Sequence, residues 1–181
     1  MSDLLLVIEK LTAPLRRRVL LMISKALLTN TNDAPGQQTV QVKALADELI
    51  DGAERYQPYG LTSHAEPGAE CLLLAVGGHR SHPVIAVIDD RRHRPRGLSQ
   101  GEVQLYAKFG QRVHLRDDGA VEIAGGGGGR IEIRPSGAID LVAAAGNFVK
   151  LRDDGAVEIR SANGQSWIEV RNDCIEMDDP K

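Results

Sequence analysis

Five consecutive glycines, Gly125 to Gly129, are the clearest invitation to chemistry in this chain, because a glycine run can lay its backbone amides around a phosphate. A phosphate loop ends in Gly-Lys-Ser/Thr and opens a helix, whereas here Arg130 leads into Ile131-Glu132-Ile133. The run therefore reads as a flexible corner between two strands. His79 and His82, at i and i+3, could share a metal, but they sit in a glycine-rich turn with no third ligand nearby and read as solvated. The pairs Asp117-Asp118 and Asp153-Asp154 suggest calcium or a carboxylate dyad. Both recur beside a glycine, however, and read as corners of the fold. Catalytic carboxylates need a cleft that splits their pKa values, which a narrow repetitive structure does not offer. Arg91, Arg92, Arg94 and Arg96 read as a salt-bridged collar meeting Asp89, Asp90 or Glu102 of a neighbouring chain. No Ser/His/Asp or Cys/His set stands out, and Cys71 and Cys174 lie 103 residues apart with no CxxC spacing, which disfavours a zinc module or disulfide framework.

Composition supports these exclusions. The 181 residues are 42% hydrophobic and 26% charged, enough for one or two small domains with a core. Aromatic residues make up only 3%, which argues against a surface that stacks bases or sugars, and a net charge of −3 argues against electrostatic nucleic-acid binding. No apolar run approaches the length of a transmembrane helix, and Asp3 stands where a secretory signal has basic residues, so the expected site of synthesis is a reducing cytoplasm.

The elements that would position such residues fall into two grammars. Residues 97–181 hold 13 of the 19 glycines and a net charge of −4, against +1 for residues 1–96. In the second half Gly101, Gly119, Gly137 and Gly155 recur every 18 residues. Around them lie nine apolar-polar-apolar units, the period of a strand with one dry face. Their apolar members are Val103 and Leu105, Val113 and Leu115, Val121 and Ile123, Ile131 and Ile133, Ile139 and Leu141, Val149 and Leu151, Val157 and Ile159, Ile168 and Val170, and Ile175 and Met177. The residues between them, from Gln104 to Glu176, are all polar. Such short strands form a narrow ribbon with nothing to cover its apolar face. A parallel β-helix within one chain is an alternative, disfavoured by the two-strand unit and its sharp glycine corners. A homotrimer closing these 18 positions around a common axis is the better solution.

The first half opens with a helical segment, Asp3 to Leu15, whose Leu5, Ile8, Leu11 and Leu15 recur at helical spacing. Five candidate strands follow, Val19 to Leu28, Thr39 to Leu45, Tyr56 to Leu61, Glu70 to Val76 and Pro83 to Ile88. Five short strands fit a small barrel of the OB type, although the pattern alone leaves an SH3-like barrel open. The pattern thus points to an all-β chain, with an N-terminal helical segment over 1–15, a small barrel domain over 16–92 and a trimer-forming run of short strands over 93–181.

The stretch Gly77-Gly78-His79-Arg80-Ser81-His82-Pro83-Val84-Ile85-Ala86-Val87-Ile88, continuing through the charged connector Asp89 to Arg96 into Gly101-Glu102-Val103-Gln104-Leu105-Tyr106, resembles the Mu-type central spike of contractile phage tails, the baseplate assembly protein V family. The repeats after Val113 are similar to that family's needle. The resemblance implies a homotrimer with an OB-fold domain over 16–92 and a triple-stranded β-helix over 93–181, located in the virion at the tip of the tail baseplate, docked on phage baseplate hub proteins and breaching the host outer membrane, with no nucleic-acid partner and no enzymatic domain. It also implies that a His-x-His pair near the tip can hold iron. This sequence has no such pair, so no cofactor is expected and the tip is expected to be truncated or supplied by another protein. The rival function is a carbohydrate-binding or carbohydrate-degrading β-helix tail protein, which would need paired carboxylates in a groove and aromatic platforms.

Overall fold

The computed structural model describes residues 2–171 and 174–178, and the chain divides into two compact units, Met1–Arg92 and His93–Lys181. In the first unit a helix, α1 (Ser2–Leu21), precedes five strands: β1 (Ile23–Asn32), β2 (Thr39–Lys43), β3 (Leu49–Arg55), β4 (Glu70–Ala75) and β5 (Pro83–Asp89). They close a barrel in the order β1-β2-β3-β5-β4, antiparallel throughout except for the parallel pairing of β3 with β5. This is a five-stranded Greek-key barrel of the OB type. Strand alternation explains its core: Ser24, Ala26 and Leu28 of β1 point inward, and Leu28, Val40, Val42, Leu73 and Ile85 are fully buried together.

Three boundaries differ from the sequence expectation. The helix runs through Leu21 rather than stopping at Leu15, so β1 starts at Ile23 and not Val19. Arg16-Arg17-Arg18 does not break the helix, because exposed arginines are good helix formers and sit well against the C-terminal end of its dipole. The third strand is Leu49–Arg55, while Tyr56 to Leu61, expected as a strand, lies in the following loop. In β3, Gly52 adopts φ +69 and the inward residues Ile50, Ala53 and Arg55 break strict alternation, which hides the strand from a period-two reading.

The second unit is one antiparallel sheet of nine four-residue strands in sequential order: β6 (Val103–Tyr106), β7 (Arg112–Leu115), β8 (Val121–Ala124), β9 (Arg130–Ile133), β10 (Ile139–Val142), β11 (Phe148–Leu151), β12 (Val157–Arg160), β13 (Trp167–Val170) and β14 (Ile175–Asp178). Six of its eight connections share one geometry. The amide of Gly119 donates to the Arg116 carbonyl at 3.1 Å while the Arg116 amide donates to the Ala120 carbonyl at 2.9 Å, and the same pair of bonds forms around Gly110, Gly128, Gly137, Gly146 and Gly155. Each is a tight turn closed by a left-handed residue, φ +86 at Gly119, a conformation that glycine takes without penalty. Positive-φ glycines occur at 101, 110, 119, 128, 137, 146, 155 and 164, so the structural unit is nine residues, half the period visible in the sequence. Antiparallel pairing throughout rules out a parallel β-helix within one chain.

Candidate functional site

Register turns the nine apolar pairs into two unbroken columns down one face of the sheet. One runs Val103, Leu115, Val121, Ile133, Ile139, Leu151, Val157, Val170, Ile175; the other runs Leu105, Val113, Ile123, Ile131, Leu141, Val149, Ile159, Ile168, Met177. None of these 18 side chains is buried in the single chain, and 12 are exposed, from 38% for Ile168 to 71% for Met177. An apolar groove of about 550 Å³ opens among Ile123, Ile131, Leu141, Val149, Phe148 and Ile159. Its lining contains no carboxylate.

The opposite face is more enclosed than the apolar one. Gln104, His114, Glu122, Glu132, Asp140, Lys150, Glu158, Glu169 and Glu176 form a single polar column, in which Asp140 and Glu169 are buried. Arginines flank and neutralise it. Arg112 meets Glu122 at 2.6 Å, Arg160 meets Glu158 at 2.6 Å, Arg134 pairs with Asp140, and Arg171 Nε donates to Glu169 Oε1 at 2.9 Å. The Arg171 hydrogen bond, with Arg152 close by, holds the Glu169 carboxyl below its ordinary range. Glu102 is also lowered, chiefly by the Ser99 amide that donates to it and further by the Asp117 amide and by His114 at 3.3 Å. This arginine frame is absent from the expectations above. Its signal was available in Arg116, Arg134 and Arg152, which recur every 18 residues immediately before the turns.

The other candidate residues take local roles. Gly101, Gly119, Gly137 and Gly155 are positive-φ positions at the turns. Asp118 and Asp154 cap those turns, accepting from the amides of Ala120 and Ala156 at 2.9 and 3.1 Å, and each pairs with its own Arg116 or Arg152. Gly125 to Gly129 is the corner between β8 and β9, and a Cβ on Gly126 would stand 2.4 Å from the Phe109 carbonyl oxygen. His79 and His82 lie in the turn before β5, and among the described residues no three His, Cys, Asp or Glu side chains gather to hold a metal. Within the chain, Arg91 of the collar pairs with Glu70 and Arg92 with Asp90. Cys71 is a core residue whose thiol is pushed up to about 11 by burial, against the opposing pull of Arg55. Arg55, not anticipated from sequence, is itself buried and fastens the loop after β3, donating to Gln38 Oε1 and to the carbonyl and hydroxyl oxygens of Ser63, each at 2.7 Å.

The barrel coincides with a known domain. Residues 25–92 match the family model described as Bacteriophage Mu Gp45, N-terminal. Baseplate puncturing device gp45 of Escherichia phage Mu is 41% identical over 112 residues, covering 62% of this chain and 57% of that protein. The chain is similar to the Mu-type baseplate spike proteins over these stretches. A second relative, Mu-like prophage FluMu protein gp45 of Haemophilus influenzae, is 38% identical over 112 residues, which is 62% of this chain and 61% of the relative. The similarity thus spans less than two thirds of either relative.

Proposed function

We propose that the second units of three chains close on one another through their apolar faces to form a rigid needle, and that this needle pierces the host outer membrane at the tip of a contractile phage tail. One observation carries the reading: 18 apolar side chains in two continuous columns are left unburied, 12 of them exposed, while arginines pair with carboxylates of the opposite face within the chain. Covering an aliphatic side chain is worth about 1.5–3 kcal/mol, so an apolar face of this length demands a partner surface of the same length. Two further copies supply it, and closure of three sheets leaves few free edges along the needle. The name of the phage Mu relative, a puncturing device, supports the mechanical role.

In this reading the spike works as a stiff body driven by tail contraction rather than as an enzyme. It docks on hub proteins of the baseplate and takes no metal or other cofactor. A carbohydrate-active β-helix would need carboxylates facing a groove, and the groove of this sheet is lined mainly by aliphatic residues and Phe148, with Asn147 and two arginines as its polar side chains and no carboxylate. The functional test uses phage particles whose spike chain ends at Arg96, keeping the barrel with its own closed core. Tails that assemble and adsorb but fail to deliver the genome are the expected result. Particles that infect normally would overturn the piercing role, and failure to build a baseplate at all would make the second unit an assembly part instead.

A further inference from the structure

Helix α1 carries a second uncovered apolar face. Leu5, Ile8, Leu11 and Leu15 lie along one side of it, between 48% and 74% exposed, with Lys10 and Arg17 on the opposite side, where Leu6 is exposed as well. Its attachment to the barrel is at the last turn. Gly78, with φ +74, leaves space for Arg18, whose Cβ and carbonyl oxygen would each stand 2.7 Å from a Cβ at position 78. Just beyond the helix, the Ala75 amide donates to the Met22 carbonyl at 2.8 Å. Upstream of Arg18 the apolar stripe is open. A helix of this length is marginal in water without tertiary packing, and Pro14 removes one of its internal hydrogen bonds.

We propose that the stripe is covered by the same helix from two further copies, so that three α1 helices form a short parallel coiled coil. The proposal rests on the trimeric needle of the preceding section. Ile8, Leu11 and Leu15 are spaced three and then four residues apart, the a-d-a step of a heptad seam. Leu5 and Val7 fall at the flanking e and g positions, which widens the face beyond what a single neighbouring helix covers. Glu9, Lys10, Arg16 and Arg17 take the outer b and c positions, and Arg18 falls at the next d position of the same register, where three like charges stop the seam. The seam ends at Arg18, where the helix turns to its own barrel. Chains already joined through their sheets hold their helices at high effective concentration, so even a short coil closes.

The test uses the full chain with Cys174→Ser, leaving Cys71 buried, and adds Leu11→Cys in the seam or Glu9→Cys on the outer side. Each variant is oxidised mildly under native conditions, run on a non-reducing denaturing gel, and weighed in parallel by light scattering. Leu11→Cys is expected to form disulfide-linked pairs at least tenfold faster than Glu9→Cys, and to plateau with two of every three chains linked, because a third thiol finds no mate. Particles of trimer mass in which Leu11→Cys fails to link, or links no faster than Glu9→Cys, overturn the helix bundle while leaving the needle intact. That outcome assigns the stripe to another protein or to a membrane surface. A monomeric mass overturns the needle reading, and the coil with it.

Discussion

Leu141→Asp separates a sheet that works alone from one that closes with its copies. Leu141 sits mid-sheet, paired with Ile131 on β9 and Val149 on β11, and is 39% exposed in the single chain. In an isolated sheet the change removes part of one aliphatic contact and places a carboxylate where water reaches it, a cost of about 1 kcal/mol. In a closed needle three carboxylates meet on a dry axis. Each chain then loses about 1.5–3 kcal/mol of burial and carries a desolvation penalty of several kcal/mol, on the order of 10–20 kcal/mol per trimer. The penalty depends on pH with a definite sign. Desolvation and mutual repulsion raise the pKa of the new carboxyls in the folded state, so the folded protein holds more protons than the unfolded chain. The added instability is therefore absent below the unfolded value of about 4 and grows as pH rises through the raised folded value. Urea melts of variant and parent at matched pH, with mass measured alongside, read both effects. A variant that keeps the parental midpoint and mass at neutral pH would refute the inward assignment of the apolar columns.

Gly126→Ala is expected to cost about 1–3 kcal/mol, because its Cβ would collide with the Phe109 carbonyl, whereas Gly127→Ala, with open space around it, leaves the thermal midpoint unchanged. Arg134→Ala strips the partner from Asp140, whose side chain is only 7% exposed, and should destabilise the second unit by about 1–3 kcal/mol in denaturant melts; Asp140→Asn in the same background should recover part of that loss. Glu102 and Glu169 titrate below the ordinary range when folded, so the stability they contribute is complete above about pH 4.3 and drains away as pH falls through their folded values. Glu169→Gln should flatten that acid limb in a pH series of melts. Cys71 should resist alkylation at pH 8 until the barrel is unfolded, since burial keeps its thiol protonated up to about pH 11.

The second unit was legible almost residue by residue because each of its strands is a bare apolar-polar-apolar triplet punctuated by glycine, and all nine strands fall where that pattern puts them. What escaped was the true period. Gly110, Gly128, Gly146 and Gly164 occupy the same left-handed turns as the other four glycines, but Lys108-Phe109 and Ala144-Ala145 before them share no side-chain motif with Asp117-Asp118. Backbone geometry repeats there where side chains do not. In the barrel, Leu49–Arg55 was missed because Gly52 and the buried Arg55 interrupt alternation, and Tyr56 to Leu61 looked strand-like because its aromatic residues signal a strand only when they pack. Tyr59 is fully exposed. The arginine frame behind the apolar face was hidden for a different reason. Surface charges in a sequence read as solvated until register shows that Arg112 and Arg134 lie over Glu122 and Asp140.

The mass of the intact chain in solution, measured by multi-angle light scattering, tests the central claim most directly. Three chains of 19.6 kDa each should travel as one particle at micromolar concentration and keep that mass on dilution and in moderate salt, because the contact is apolar. A particle of 19.6 kDa would contradict the account, since it would show that a sheet with 18 unburied apolar side chains persists in water without its copies.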